Sequence, residues 1–455
     1  MMRSRWQVLA TTGLLMVVAL LAISVNSGVT SARQGGTFTA FPTNTPEGDE
    51  NFPVAQVTTP TPSLTPTTAV AEATIGPFEY PDNVNPLTGL PYPDEASRNR
   101  RNLIVKISNY PPIVRPQYGL SAADIVFEYE AEGGVTRFAA IFRSHSPGRV
   151  GSVRSARLID LELVDMFQGL LAYSGSNDWI RNYILDSDWR WRAITPHFAN
   201  YPCPTFCRYP EPGKAYEHTL FGDTDGIWAE ADRIDVNQGM QAVGLAFSET
   251  PDPGGDTAND IFIDWYSPLS DVRWQYNPAD QKYYRWDSGL PHIDKGTGEQ
   301  LTTDNLVVLE MWHVDRPDIY ESEIGGTALE HQFWGYARAW LFRDGRWYQG
   351  WWYRNREYGS IQLRFDYRDR ENPMHLKPGN TWFEIVRKTD PYVTEGPMFS
   401  VTVSNDLVDA QATAQVVSST GTAVWAATST QFAEWNGSPT PFPTLTAFPT
   451  LTPLP

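Results

Sequence analysis

The chain reads as an α+β protein: a mixed N-terminal domain with a β-hairpin and a helix, followed by a mostly antiparallel β domain. Three observations predict this. Asp124 to Glu132 alternates strictly, with Ile125, Phe127, Tyr129 and Ala131 on one face and Val126, Glu128, Glu130 and Glu132 on the other, the pattern of a half-buried strand. Leu158, Leu161, Val164 and Phe167 recur at helical spacing. Asp344-Gly345 separates ARAWLF from RWYQGWW, a strong signal for a two-residue hairpin turn. At 455 residues with 36 prolines, two folded domains are expected, over 78–254 and 256–390.

Taken in order, residues 1–32 come first. Arg3 and Arg5 precede Trp6 to Val25, an apolar stretch broken mainly by Gln7, Thr11, Thr12 and Ser24. It is either a signal peptide cleaved near Ala32 or an uncleaved anchor, and both readings place the rest of the chain outside the cytoplasm. Residues 33–77 are Thr, Pro and Ala with repeated TP steps, and 438–455 repeat that composition, so both are expected as extended spacers. In the first domain Gly133 and Gly134 can supply positive φ angles for a two-residue turn, with Val135 to Phe142 returning as partner strand. That register sets Glu130 opposite Arg137. The helix runs over 158–171, with Ser155 as candidate N-cap. In the second domain VRWQY and KYYRW flank the loop Asn277 to Gln281. Ten of the 17 tryptophans lie there, and alternating Trp and Tyr favour cross-strand packing over an exposed sugar groove. Residues 391–455 are taken as a low-complexity tail.

The net charge of −18 argues against a general nucleic-acid or anionic-membrane binder, so any anion site must be local. The arginines between 137 and 157 are such an exception. Cations at a helix N-terminus are disfavoured by about 0.3–1 kcal/mol each unless paired. Arg154 and Arg157, with Ser155 and with Arg137 or Arg143 nearby, therefore form a candidate ligand-binding site, filled either by an anion or by an internal carboxylate such as Glu128 or Glu132. The glutamate row carries a second possibility. Same-face neighbours on a strand lie about 6.6–7 Å apart, near the low end of the roughly 6.5–9.5 Å used by inverting glycosidases, which makes Glu128 and Glu132 candidate catalytic carboxylates. The alternative is a salt-bridged, solvent-facing hairpin.

The motifs in this stretch resemble the YerB-like lipoprotein family, an extracytoplasmic bacterial family of paired domains of unknown function. They are NPLTG at Asn85 to Gly89, the RP to ADIVFE run from Arg115 to Glu128, AEGGVTRF at Ala131 to Phe138, and GSVRSAR at Gly151 to Arg157. The hairpin at Asp344-Gly345 and PGNTWFEIV from Pro378 to Val386 also fit, so the resemblance covers roughly 80–388. The resemblance implies a usual tether through a lipidated cysteine just after the leader. Here the first cysteine is Cys203, so a lipid anchor is not expected and the N-terminal segment itself is the expected membrane contact.

Cys203 and Cys207 have CxxxC spacing with no second pair to complete a zinc site, so outside the cytoplasm a short disulfide is expected. The seven histidines show no metal-binding spacing, and no metal or cofactor is expected. The resulting reading is an extracytoplasmic cell-envelope protein that binds a cell-wall glycan or an anionic envelope ligand. The alternatives are a carboxylate-based glycosidase and a phosphate-directed enzyme acting on polyprenyl-phosphate-linked glycans, since the order of an Asp-led strand, a basic turn and a helix start looks distantly like the LytR-CpsA-Psr enzymes.

Overall fold

The computed structural model describes residues 74–406, apart from 240–241, 266–270, 322–325 and 357–358. The leader, the first spacer up to residue 73 and the tail from 407 fall outside the described residues. What is described is predominantly β-structure with few helices.

The first half contributes α1 (Glu95–Asn99), β1 (Leu103–Ser108), β2 (Ile125–Glu130), β3 (Thr136–Phe142), α2 (Leu158–Phe167), β4 (Leu170–Ala172), α3 (Asp178–Asp186), β5 (Ala193–Ile194) and α4 (Thr224–Arg233). The second half contributes β6 (Asp256–Thr257), β7 (Asp260–Asp264), β8 (Val272–Asn277), β9 (Lys282–Asp287), β10 (Asn305–Glu310), β11 (His313–Tyr320), β12 (Thr327–His331), β13 (Gly335–Arg343), β14 (Arg346–Arg354), β15 (Gln362–Arg364), β16 (Thr381–Val386), β17 (Val393–Glu395) and β18 (Met398–Thr402). Strands of both halves share one eleven-stranded sheet, ordered β6-β14-β13-β10-β16-β2-β3-β1-β4-β5 with β15 branching from β14. The halves meet where β2 runs parallel to β16. A second sheet, containing β9-β8-β7-β18-β17, is built from the second half alone.

The aromatic hairpins form as expected. β13 and β14 pair from Gly335↔Arg354 to Arg343↔Arg346, and the turn holds Asp344 at φ 52° and Gly345 at φ 70°, the left-handed pair that a type I′ turn requires. β8 and β9 pair across the 277–281 loop. Trp274, Trp340, Trp352 and Trp382 are fully buried, so packing is what most of this aromatic composition serves. The second half is less uniformly antiparallel than expected, because β10 and β16 pair in parallel, as do β7 and β18. Residues 393–402 supply two strands to the second sheet, whereas composition assigned them to the tail.

The β2–β3 hairpin departs from expectation in two ways. Its loop is one residue longer than a two-residue turn: Glu132–Gly134 form a single 3-10 turn, with Gly133 and Gly134 both at positive φ, closed by the Ala131 N–H donating to Val135 O. Glu130 therefore pairs with Thr136, and Tyr129 with Arg137. A one-residue slip moves a side chain to the other face of a sheet, so Glu130 and Arg137 point to opposite sides and are not partners. The second departure is burial. Every residue of β2 is buried, because α2 covers the Ile125, Phe127 and Tyr129 face while the second sheet covers the Val126 and Glu128 face.

α2 starts at Leu158 and stops at Phe167, since Gln168 at φ 48° takes the left-handed C-cap and the chain turns directly into β4. Its N-cap is Arg157, not Ser155. The Asp160 carboxylate, at the third helical position, accepts the Arg157 N–H at 2.6 Å, a local bond that Ser155 lies too far upstream to make.

Candidate functional site

The basic stretch does converge on the start of α2, and an internal carboxylate occupies its centre. Glu132 is carried there by the 3-10 turn. It accepts from Arg137 at 2.7 Å and from Arg157 Nε at 2.7 Å, and a second Arg157 nitrogen also bonds to it. Glu321 lies 3.3 Å from Arg157. Burial alone would raise the Glu132 carboxyl, but the Arg157 hydrogen bond and the charges of Arg137 and Arg157 outweigh it and hold the group at about 2. Burial and the neighbouring Arg157 bring Arg137 down to about 9, so it is still cationic at neutral pH. Arg154, at the rim, donates to the Glu217 carbonyl at 3.3 Å, and Ser155 offers its carbonyl to Arg137 at 3.2 Å. Arg143 is engaged elsewhere: it donates to Asn102 at 3.1 Å and to the Arg98 carbonyl at 2.6 Å. Beneath the helix start, Lys106 and Asp160 form a wholly buried pair at 2.7 Å.

The glutamate row is dispersed. Glu128 faces the second sheet, where Arg285 on β9 donates to it at 2.6 Å and Thr136 at 2.7 Å. Its register neighbour Glu384 on β16 accepts from Trp274 at 2.9 Å. Glu130 is held by Arg387 through bonds of 2.6 and 2.9 Å. Glu128 and Glu130 are buried and ion-paired, and Glu132 has left the strand for the turn. The row therefore cannot face a sugar across an open cleft, which removes the geometry the glycosidase reading needs.

Arg285 and Glu384 do not stand out in the sequence. Arg285 also contacts Asp287 at 3.3 Å and bonds to His292, whose other ring nitrogen lies 2.6 Å from Gln117. Burial and the Arg285 charge push His292 well below its ordinary value, so it stays neutral, accepting from Arg285 and donating to Gln117. Burial, followed by the charge of Glu128, pushes the Glu384 carboxyl well above the usual range.

A shallow, open depression lies beside the α2 start, between α2, α3 and the β11–β12 hairpin. Its apolar floor includes Leu158 and Leu161. α3 is capped by Asn177, which accepts the Ile180 N–H at 2.8 Å; Ile180 and Ile184 turn inward, so Trp179 and Tyr183, one turn apart, turn outward. Their rings stack at 5.6 Å and 17°, yet remain 39% and 40% exposed. Trp334 lines the opposite side, with the Arg356 guanidinium 4.5 Å from its ring centre. Sequence reasoning passed over these residues because they are spread across more than 150 positions; the one local signal was the i, i+4 aromatic pair on α3.

Cys203 and Cys207 sit at disulfide distance, with Cα atoms 5.1 Å apart. Among the described residues no group of side chains has the makings of a metal site, and no helix is long and apolar enough to cross a membrane.

Two family profiles match the chain: "Protein of unknown function (DUF3048) N-terminal domain" over residues 87–237 and its C-terminal counterpart over 261–383. The chain is similar to the "Putative lipoprotein YerB" of Bacillus subtilis (strain 168), 29% identical over 266 residues, covering 54% of this chain and 74% of that protein. It is also similar to the crystal structure of YerB protein from Bacillus subtilis, with a TM-score of 0.55 and 25% identity over 67% of this chain and 96% of that one.

Proposed function

Because the chain belongs to the YerB-like family of paired DUF3048 domains, we propose that it is an extracytoplasmic binding module of the cell envelope whose ligand is a wall glycan. The observation that carries this reading is the depression, where Trp179 and Tyr183 are exposed and the half-buried Trp334 lines the wall, beside arginine and glutamate side chains. Ligand sites combine apolar lining with a few convergent polar groups, and the lining of this depression has both: Leu158, Leu161 and the aromatic rings beside Glu162, Arg316, Glu330 and Arg356. Exposed aromatic surface suits the C–H faces of pyranose rings, while the flanking charged groups suit ring hydroxyls.

The location rests on similarity to a lipoprotein together with the apolar Trp6 to Val25 segment, which would act as anchor, and the Thr/Pro-rich spacer, which would hold the domains away from the membrane. The arginines at the α2 start are a weaker ligand site than the depression, because Glu132 already supplies their counter-charge.

Co-sedimentation of the full chain with purified peptidoglycan sacculi tests the reading. Retention is expected, and Trp179→Ala combined with Tyr183→Ala should release the protein into the supernatant while leaving its melting temperature nearly unchanged. Equal retention of the native chain and this variant would remove the depression from consideration.

A further inference from the structure

Resting on the glycan reading above, we propose that the depression selects an uncharged saccharide chain over an anionic one. The charged groups that line it are two arginines and two carboxylates, Arg316, Arg356, Glu162 and Glu330, and each is already paired, while the neighbouring Asp165 carboxyl, raised by burial and then by Glu162, adds no positive charge. Glu162 on α2 bridges Arg354 at 2.6 Å and Arg356 at 2.5 Å. Arg316 on β11 is shared by Asp318 at 2.7 Å and Glu330 at 3.0 Å. The other titratable groups lining the site add no charge. His331 is held at about 3 by burial and the Arg387 charge, and burial raises the Tyr183 hydroxyl further above neutral pH.

This balance decides what the site can accept. An anionic sugar recruiting Arg316 or Arg356 must displace a carboxylate already bound there, and its own charge then lies against Glu162, Asp318 or Glu330. A cationic sugar meets the same difficulty with signs reversed. A neutral chain leaves the pairs intact. A guanidinium carries five N–H donors and a carboxylate about four acceptor positions, so paired groups still present hydrogen-bonding edges to hydroxyl and amide groups. Such charge-assisted bonds are roughly twice as strong as neutral ones, and here they need no net charge on the ligand. The guanidiniums of Arg316 and Arg356 also lie over Trp179 and Trp334, 5.5 and 4.5 Å from the ring centres, which fixes the aromatic rims relative to the polar groups.

The test uses the full chain and two probes of equal ring number: an N-acetylglucosamine hexasaccharide, which is uncharged, and a galacturonate hexasaccharide, with a carboxylate on each ring. Isothermal titration is run at two ionic strengths, across which the Debye length falls from about 30 to 10 Å. We expect saturable binding of the neutral probe, an affinity that changes less than about twofold between the two salts, and about tenfold weaker binding by Trp179→Ala. Preferential, salt-sensitive binding of the galacturonate probe that Trp179→Ala weakens would overturn the inference and leave the glycan reading standing. Binding of the neutral probe that both Trp179→Ala and Trp334→Ala leave unchanged also overturns it, because the site is then elsewhere. If neither probe binds, the glycan reading fails together with the inference.

Discussion

Two arginine–carboxylate clusters lie on opposite faces of the central sheet, and they balance charge by different means. On the α2 face Glu132, whose side chain keeps 20% of its surface exposed, stays ionised at about 2 and is matched by Arg137 and Arg157. On the face toward the second sheet, Glu128 and Glu384 are neighbours, Arg285 pairs with Glu128, none of the three has exposed surface, and there burial and carboxylate repulsion favour a protonated Glu384. Where some solvent reaches, a counter-charge suffices. Where none does, protonation removes one of the charges, because an uncompensated buried ion costs more than a retained proton.

The largest effect is expected from removing the cation of the drier cluster. Arg285→Ala leaves the adjacent Glu128 and Glu384 carboxyls without their cation in a closed interior, and should cost about 3–5 kcal/mol in chemical denaturation. Arg157→Ala should cost less, about 2–3 kcal/mol, because Glu132 keeps Arg137 and some solvent. If the two variants lose equal stability, the distinction drawn between the faces is wrong. A negligible loss for Arg157→Ala would reopen the start of α2 as a site held ready for a ligand.

How much of this was legible in the sequence depends on how local the determinant is. The Asp344-Gly345 hairpin was readable because its turn residues and both strands lie within twenty positions. The Gly133-Gly134 turn was not: two glycines permit a two- or a three-residue loop, and only the packing of Arg137 against α2 and Glu128 against β9 selects the longer one. The convergence of basic residues on the start of α2 was readable from their spacing, and Glu132 was among the carboxylates named for them. Glu384 and Arg285 were invisible as partners of Glu128 because 256 and 157 positions separate them from it, and only the β2–β16 pairing and the stacking of the second sheet bring them together.

A pH series sharpens the comparison further. A carboxyl whose folded value is raised contributes stability that is fully present below its unfolded value of about 4.3 and is lost as pH rises through the folded value. Glu132 has the opposite sign. Its folded value is depressed to about 2, so its contribution is present above about 4.3 and is lost only as pH falls toward 2. Glu384→Gln retains an acceptor for Trp274 but has no proton to lose, so its stability relative to the native chain should improve steadily as pH is raised from 5 to 8. Parallel stability curves for the two proteins over that range would show that Glu384 ionises at no cost.

The smallest effect on stability is expected at the depression, and that smallness is what separates it from both clusters. Trp179 stacks on Tyr183, lies under the Arg316 guanidinium and remains 39% exposed, so Trp179→Ala removes little buried surface and vacates no core position. Its denaturation midpoint should correspond to a change within about 0.5–1 kcal/mol of the native chain. The paired charges around it stay where they are, because Glu162, Arg354 and Arg356 hold one another without the indole. A loss of several kcal/mol would mean that the aromatic stack supports the contact between α3 and the β11–β12 hairpin. Its exposure would then be incidental to folding, and the depression would lose its claim to be a ligand site.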